Sequence, residues 1–411
     1  MMRIALLSVE FPPDIHGGLG RYIEYYTGYL IRNGHHLWVF TVNPGELPVA
    51  ENDGRLTVFR PVKKLLTHWL QLFSHQCHLS FALRFIKNVC YNIDTYRLIR
   101  KTHHSGPLDI IIVHDWMSSW AGIVSAVRLK IPVVFHAHNT EFTMTSWGKR
   151  QDPLKFIALS ERLLVKIARH IIVPSEKMRR LVVEYGWDSS KISVIPHGYD
   201  PGLNQSQDRE AAALLCSQIK ARLQLGSGDK LLLFAGRLSY AKGIFQLIEA
   251  MKIIVAANPN LKLLIVGKGD NQAVDELIRR LGLTEFIHAG YCFESLEMLS
   301  AYYELADICV FPSLYEPFGL VAMEAMTFGK PVILGNGFPE MFTGTVESPT
   351  ALMVESQSPQ KIAAAVLVLA NDPENAARMG EAARNFVNQH ASWDKVFETT
   401  VSVYQRVIKN N

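Results

Sequence analysis

A chain of 411 residues with 48% apolar and 19% charged side chains is too long for one ordinary core and too apolar for a disordered polymer, so two packed domains are expected. The net charge of +4 divides unevenly: residues 1–196 carry 24 basic against 15 acidic side chains (+9), and residues 197–411 carry 18 against 23 (−5), so the two halves are suited to different partners. Interleaved charges without a recognisable motif argue against nucleic acid, the lack of 18 consecutive apolar residues argues against a transmembrane helix, and five scattered cysteines (77, 90, 216, 292 and 309) argue for reduced thiols in a cytoplasmic protein without structural zinc.

Taken in chain order, short apolar runs alternate with helical stretches, the pattern of doubly wound parallel α/β domains. The first residues read as a strand rather than a signal peptide. Strands are predicted at Ile4–Val9, Leu37–Thr41, Leu56–Arg60, Asp109–His114, Pro132–His136, His170–Val173 and Ser193–Ile195. A second series follows at Leu231–Ala235, Leu261–Val266, Phe286–Ala289, Ile308–Phe311 and Pro331–Leu334. The rhythm restarts near residue 230, after a polar stretch and a predicted helix, Arg209–Leu223, which places the linker around Pro196–Gln205. This gives an N-terminal domain over 1–200, a C-terminal domain over 201–392 and a terminal helix within 393–411. Val396, Val401, Tyr404 and Ile408 fall on one face of that helix. One stretch, Val62–His104, breaks the alternation. It interleaves Lys63, Lys64, Arg84, Lys87, Arg97, Arg100 and Lys101 with aromatic and aliphatic residues, and reads either as a helical insertion with a solvated basic face or as a surface for a membrane or anionic lipid acceptor.

The candidate chemistry sits at strand ends, where open α/β sheets bind ligands. After strand one, Phe11-Pro-Pro-Asp-Ile-His-Gly-Gly-Leu-Gly20 offers glycines for close backbone approach, followed by a helix N-terminus. His136-Ala-His138-Asn-Thr-Glu141 ends another strand. Its two histidines and Glu141 have metal-ligand chemistry, but strand alternation brings both rings to one side only if the strand continues. In Gly236-Arg-Leu-Ser-Tyr-Ala-Lys-Gly243, Arg237 offers a planar fork to a phosphate and Lys242 a compact charge; the P-loop spacing is absent. Glu316-Pro-Phe-Gly-Leu-Val-Ala-Met-Glu324 crosses from a loop into a helix predicted at Leu320–Phe328. Phe318 and Gly319 then lie at an anion-attracting helix start, and two carboxylates eight residues apart suit a ligand with a central phosphate and hydroxyls at both ends.

The last of these segments resembles the Glu-x7-Glu motif of retaining GT-B glycosyltransferases, in particular family 4 (glycosyl transferases group 1), and Gly236–Gly243 resembles that family's G-R-L-x-x-x-K-G. Val194-Ile-Pro-His-Gly-Tyr-Asp200 is similar to its V-I-P-N-G-V-D with His197 in place of asparagine, and Phe338-Pro-Glu340 to its I-P-E. The resemblance runs over nearly the whole chain. It implies two Rossmann-like domains facing across a cleft, with the terminal helix packed back on the first. It implies a hexosyltransferase that moves a sugar from a nucleoside diphosphate sugar, UDP-sugars being the commonest donors, to a saccharide or lipid-linked hydroxyl in polysaccharide or glycolipid synthesis.

In that reading the catalytic group is Arg237, Lys242, Glu316 and His138. Arg237 and Lys242, with the backbone N–H groups of Phe318, Gly319 and Leu320, stabilise the leaving diphosphate. Glu316 holds a donor-sugar hydroxyl, Glu324 the ribose, and His138 borders the sugar. Gly17 and Gly18 close over the phosphate, and Tyr291 and Cys292 lie at the base. His136 is a packed residue, and Asp115, in His114-Asp115-Trp116, is either acceptor-side or structural. Arginine and lysine take the place of a divalent metal, in keeping with the absence of Asp-x-Asp, so neither a metal nor a further cofactor is expected. The implied location is cytoplasmic, with possible peripheral contact at the inner membrane face. A sugar-nucleotide epimerase, a retaining phosphorylase and a non-catalytic nucleotide-sugar-binding protein remain as alternatives.

Overall fold

The computed structural model describes residues 1–15, 18–45, 47–61, 77–142, 155–198, 209–291, 295–390 and 392–411. Gly17, Cys292 and part of Val62–His104, up to residue 76, therefore lie outside the described residues. The described chain forms two compact units: one takes residues between Met1 and Pro196 together with Asp394–Asn411, and the other takes His197–Trp393.

In the first unit an eight-stranded sheet has the order β3-β4-β2-β1-β5-β6-β7-β8, with β1 at Arg3–Leu7, β2 at His36–Phe40, β3 at Ala50–Asp53 and β4 at Leu56–Phe59. The others are β5 at Ile110–His114, β6 at Val133–His136, β7 at His170–Val173 and β8 at Ile192–Val194. Every neighbouring pair is parallel except β3 with β4. Alternate residues of β5 enter opposite layers. Ile111 and Val113 join a core with Val133, Phe135, Ile171 and Leu164, while Ile110 and Ile112 are equally buried on the other face. The helix Gly18–Arg32 and the terminal helix Trp393–Lys409 meet through Tyr26 and Tyr29, whose rings lie 5.3 and 5.0 Å from that of Phe397.

In the second unit a wholly parallel sheet has the order β11-β10-β9-β12-β13-β14. Its strands are β9 at Lys230–Ala235, β10 at Leu261–Val266, β11 at Ile287–Gly290, β12 at Ile308–Phe311, β13 at Val332–Gly335 and β14 at Leu352–Val354. Leu232 and Phe234 face a core with Ile244, Leu247, Met251, Ile362 and Val366, whereas Leu231, Leu233 and Ala235 face Tyr302, Tyr303, Ala322, Met323 and Met326. Both faces of the sheet are covered, so polar groups gather where the strands stop.

Each sheet reverses its winding once, between β1 and β5 in the first unit and between β9 and β12 in the second. At such a switch point the loops beyond the carboxyl ends diverge and leave a crevice. The Phe11–Gly20 and His114-Asp115 segments border the first, and the Gly236–Gly243 and Glu316–Gly319 segments border the second.

The twelve expected strands are present with ends shifted by no more than two residues; β3 and β14 are additional. Ala50–Asp53 is exposed at every position and pairs as an edge, so it lacks the apolar alternation that marks a strand. Of the basic stretch, the described part is a helix over Cys77–Ser105. Gly380, in the helix Pro373–His390, lets that helix seat against the Leu320–Thr327 segment, because a Cβ there would fall 1.9 Å from the carbonyl oxygen of Gly329. Gly380→Ala is expected to cost about 1–3 kcal/mol by overpacking, read as a lower urea midpoint at unchanged slope.

Candidate active site

In the second unit the polypeptide leaves β9 through Gly236, whose φ is 149°, and its N–H donates to the Val266 carbonyl at 2.9 Å. Leu238 turns inward, 1% exposed, and is laced to the β10 loop: its N–H donates to Lys268 O, and Asp270 N–H donates to Leu238 O. With Leu238 anchored, Arg237 stands exposed to solvent. The following turn, Tyr240–Lys242, closes on Gly243 at φ 73°, where a Cβ would lie 2.0 Å from the Pro312 carbonyl oxygen. That close approach draws the β9 and β12 loops together. Leu314 N–H donates to Ala241 O at 2.9 Å, and the Lys242 ammonium donates to Glu316 Oε2 at 2.5 Å. Lys242 and Glu316, assigned to different parts of a ligand by sequence, are thus partners in the ligand-free protein.

The helix Leu320–Thr327 starts at Gly319, whose φ of 110° and 2.4 Å approach to the Phe338 ring admit no side chain. Gly319, as the N-cap, brings no capping side chain of its own to this positive helix end, which is suited to an anion. Phe318 is buried between His197, at 4.9 Å between ring centres, and Phe342, at 5.7 Å. The histidine that replaces the family's asparagine is therefore a packing partner of the Glu-x7-Glu loop. Leu320, the first helical residue, is partly exposed. Further along, Glu324 Oε2 accepts a hydrogen bond from the Tyr303 hydroxyl at 2.7 Å. Just past β11, Tyr291 donates to Asp275, and burial together with that bonded carboxylate pushes its phenol well up.

The first unit gathers a different set. Gly18 begins its helix, and Gly20 N–H donates to Glu10 Oε2 at 3.2 Å. Register pairs His114 with His136 across β5 and β6. His138 follows, and its Nε2 shares a hydrogen bond of 2.8 Å with His114 Nδ1. These two rings are within 19° of coplanar with centres 5.1 Å apart, the geometry of an in-plane N–H···N bond in which one imidazole donates and the other accepts. His136 Nε2 bonds the Tyr404 hydroxyl at 2.6 Å, and Tyr404 accepts in turn from Tyr26. The three histidines have ligand nitrogens within 4.8 Å of one another, the one such group among the described residues. One ring nitrogen of each is engaged in this polar network, which leaves the other nitrogen of each ring as the candidate metal ligand. Glu141 stands apart from it, its N–H donating to Glu161 Oε1 at 2.9 Å.

Asp115 resolves as the anchor of this loop. Its Oδ1 accepts from the N–H groups of His138 (2.8 Å) and Asn139 (3.1 Å), and its own N–H donates to His136 O. It does so at φ 55°, a conformation costly for a residue with a Cβ. Loss of hydration pushes its carboxyl up to about 7 against the pull of those two N–H groups, and pushes Glu161 up to about 8. Burial lowers His138 to about 3 and holds His136 well below the usual imidazole range, so both rings are neutral near pH 7. Sequence reasoning missed Tyr303, Tyr26, the hydroxyl role of Tyr404, and Asp275. The tyrosine rings obey the apolar period of their helices, which does not mark the hydroxyl, and Asp275 belongs to no recognisable motif.

With this geometry in place, likeness to other proteins has a specific meaning. The glycosyl transferases group 1 family model matches residues 217–386 and the glycosyltransferase family 4 model matches residues 16–203. An uncharacterized glycosyltransferase of Methanocaldococcus jannaschii is 30% identical, covering 98% of this chain and 98% of its own. Sucrose-phosphate synthase from Thermosynechococcus elongatus matches with a TM-score of 0.80 at 22% identity over 100% of both chains. Anabaena HepE, solved in complex with UDP and glucose, matches at 0.73 and 18% identity over 99% of this chain and 100% of its own. At those identities the structural likeness is one of fold, and the fold is GT-B.

The buried acid at Asp115 has a signed consequence for stability. Between its ordinary value of 3.8 and about 7 the folded protein keeps a proton that the unfolded chain has lost, so this group's contribution is full below 3.8 and falls as pH rises through about 7. His138 acts in the opposite sense, withdrawing stability as pH falls below 6.5 towards about 3. Asp115→Asn removes the first effect and leaves the second. Its melting temperature relative to the parent is expected to rise from about pH 5 to about pH 8 in thermal unfolding. A difference that stays flat with pH would show that Asp115 is not protonated in the folded state.

Proposed function

The chain belongs to the glycosyl transferases group 1 family, and we propose that within it the protein moves a sugar from a nucleoside diphosphate sugar to a hydroxyl acceptor, with retention of configuration and without a metal ion. The observation that carries this reading is the Lys242–Glu316 pair at the β9/β12 switch point, beside the start of the Leu320–Thr327 helix. A departing diphosphate develops negative charge, and Lys242, Arg237 and the first N–H groups of that helix supply fixed positive charge there. Glu316 takes a donor-sugar hydroxyl and Glu324 the ribose. His138, neutral in its network with His114, borders the sugar. The proposed route is front-face attack, with the leaving phosphate taking the acceptor's proton, rather than the double displacement of retaining glycosidases, which needs two carboxyl groups about 5–5.5 Å apart.

Uracil is the favoured donor base, because HepE of the same fold was solved in complex with UDP and glucose. The acceptor is a saccharide or lipid-linked hydroxyl. The Cys77–Ser105 helix supports a peripheral membrane contact, since Lys87, Arg97, Arg100 and Lys101 are exposed on it with Ile86 and Ile93. No helix among the described residues is long and apolar enough to cross a membrane. Free thiols at Cys90, Cys216 and Cys309 fit a reducing, cytoplasmic location.

Calorimetric titration with UDP, GDP and ADP, each in EDTA and again with magnesium, tests the donor site; tight metal-free binding of one nucleotide is the expected result, and binding of none would overturn the reading. Turnover of a donor without acceptor would favour an epimerase instead. Lys242→Ala and Arg237→Ala are each expected to lower kcat by about 10²–10³-fold. Arg237→Ala should change stability by no more than about 1 kcal/mol, since Arg237 is exposed, whereas Lys242→Ala should cost about 1–3 kcal/mol because it leaves the 10%-exposed Glu316 carboxylate without its cation. Full turnover in a folded variant would remove that residue from the leaving-group site.

A further inference from the structure

We propose that Tyr303 is a positioning residue that sets selectivity for an intact ribose, acting through Glu324; this rests on the nucleotide-sugar reading given above. Tyr303 lies on the helix Leu296–Leu305, wholly shielded from solvent, with its ring stacked on Phe328 at 5.6 Å. Its hydroxyl is 2.7 Å from Glu324 Oε2 and 3.5 Å from the Val321 carbonyl. It has one proton to give, and the shorter, charged partner takes it. The ring has little freedom to follow a moving carboxylate, because it is fully buried, stacks on Phe328 and belongs to the core that also holds Ala322 and Ala325.

Glu324 is therefore held from behind. A glutamate on an exposed helix face samples several rotamers, whereas this one has an oxygen pinned to a buried phenol. The pinned oxygen fixes the plane of the carboxylate. A carboxylate of fixed plane can accept from two adjacent hydroxyls at once, which a single hydroxyl or a deoxy sugar cannot satisfy. Selectivity of this kind arises because a site built to accept hydrogen bonds is left with an unpaired polar group when the hydroxyls are missing. Burial and the neighbouring Glu324 charge drive the Tyr303 phenol well above 10, so it remains a donor throughout the working pH range.

The test compares affinities of UDP, GDP and ADP, and of the 2′,3′-dideoxy form of whichever binds, for the parent protein, Tyr303→Phe, Glu324→Gln and the double variant. The parent is expected to prefer the ribose form, and Tyr303→Phe to cut that preference about tenfold or more while leaving affinity for the dideoxy form unchanged. In the Glu324→Gln background Tyr303→Phe should have no further effect, because the two residues act as a unit. An unchanged preference in Tyr303→Phe overturns the inference, as does an equal fall in affinity for both forms, which is the mark of a purely structural role. No ribose preference in the parent also overturns it while leaving the nucleotide-sugar reading in place. Failure of the parent to bind any of the three nucleotides overturns both.

Discussion

Two parallel sheets with both faces covered leave their polar residues one place to act: the carboxyl ends of the strands. In β9, β10 and β12 every residue but Lys230 and Lys262 is buried, so no functional side chain can project from mid-strand. The reversal of winding then selects which strand ends adjoin. Lys242 and Glu316 are 74 positions apart in sequence and meet because β9 and β12 are neighbours. Glycine makes that meeting possible. At Gly243 the β9 loop comes within a methyl group's width of the β12 loop, and at Gly319 the second loop turns into its helix under Phe338.

The Lys242–Glu316 pair also changes how a donor is received. A free lysine side chain loses up to about 2 kcal/mol of rotamer freedom on being fixed. The ammonium is bonded to Glu316 within the protein itself, so much of that loss belongs to folding rather than to binding. Ligand entry in the proposed reaction is an exchange: a phosphate shares the ammonium, and a sugar hydroxyl shares the carboxylate. Neither group is left buried without a counterpart at any stage, which matters because the Glu316 side chain is only 10% exposed. Glu324 follows the same rule by different means, with a neutral phenol in place of a cation.

Much of this architecture was legible before any coordinates. Runs such as Leu261–Val266 and Ile308–Phe311 can only be buried strands, and the helix after Gly319 follows from its composition. Motif spacing also singled out Lys242, Glu316 and Glu324 as candidates. What the spacing did not carry was contact. The Lys242–Glu316 bond depends on strand order, the His114–His138 bond depends on the β5–β6 register, and the Asp115 anchor depends on one backbone angle that many sequences could avoid. Tyr303 and Tyr404 were hidden for a further reason: a phenol in a core helix has the same apolar signature as a phenylalanine. β3 stayed invisible because Ala50-Glu-Asn-Asp53 is a strand only through its partner, β4.

The Tyr26–Tyr404–His136 chain bears on the order of synthesis. Tyr404 is separated from Tyr26 by 378 residues and from His136 by 268, yet all three belong to the first unit. A ribosome delivers the sheet of that unit early and its closing helix last, after the whole second unit has emerged. Until then the face carrying His136 lacks both its apolar cover, Phe397, and its hydroxyl partner. The described residues of the second unit all fall within His197–Trp393, and it has no such wait. Nascent chains of this protein should therefore mature out of sequence order, with the later unit finished first and the earlier one completed only once the Trp393–Lys409 helix has emerged.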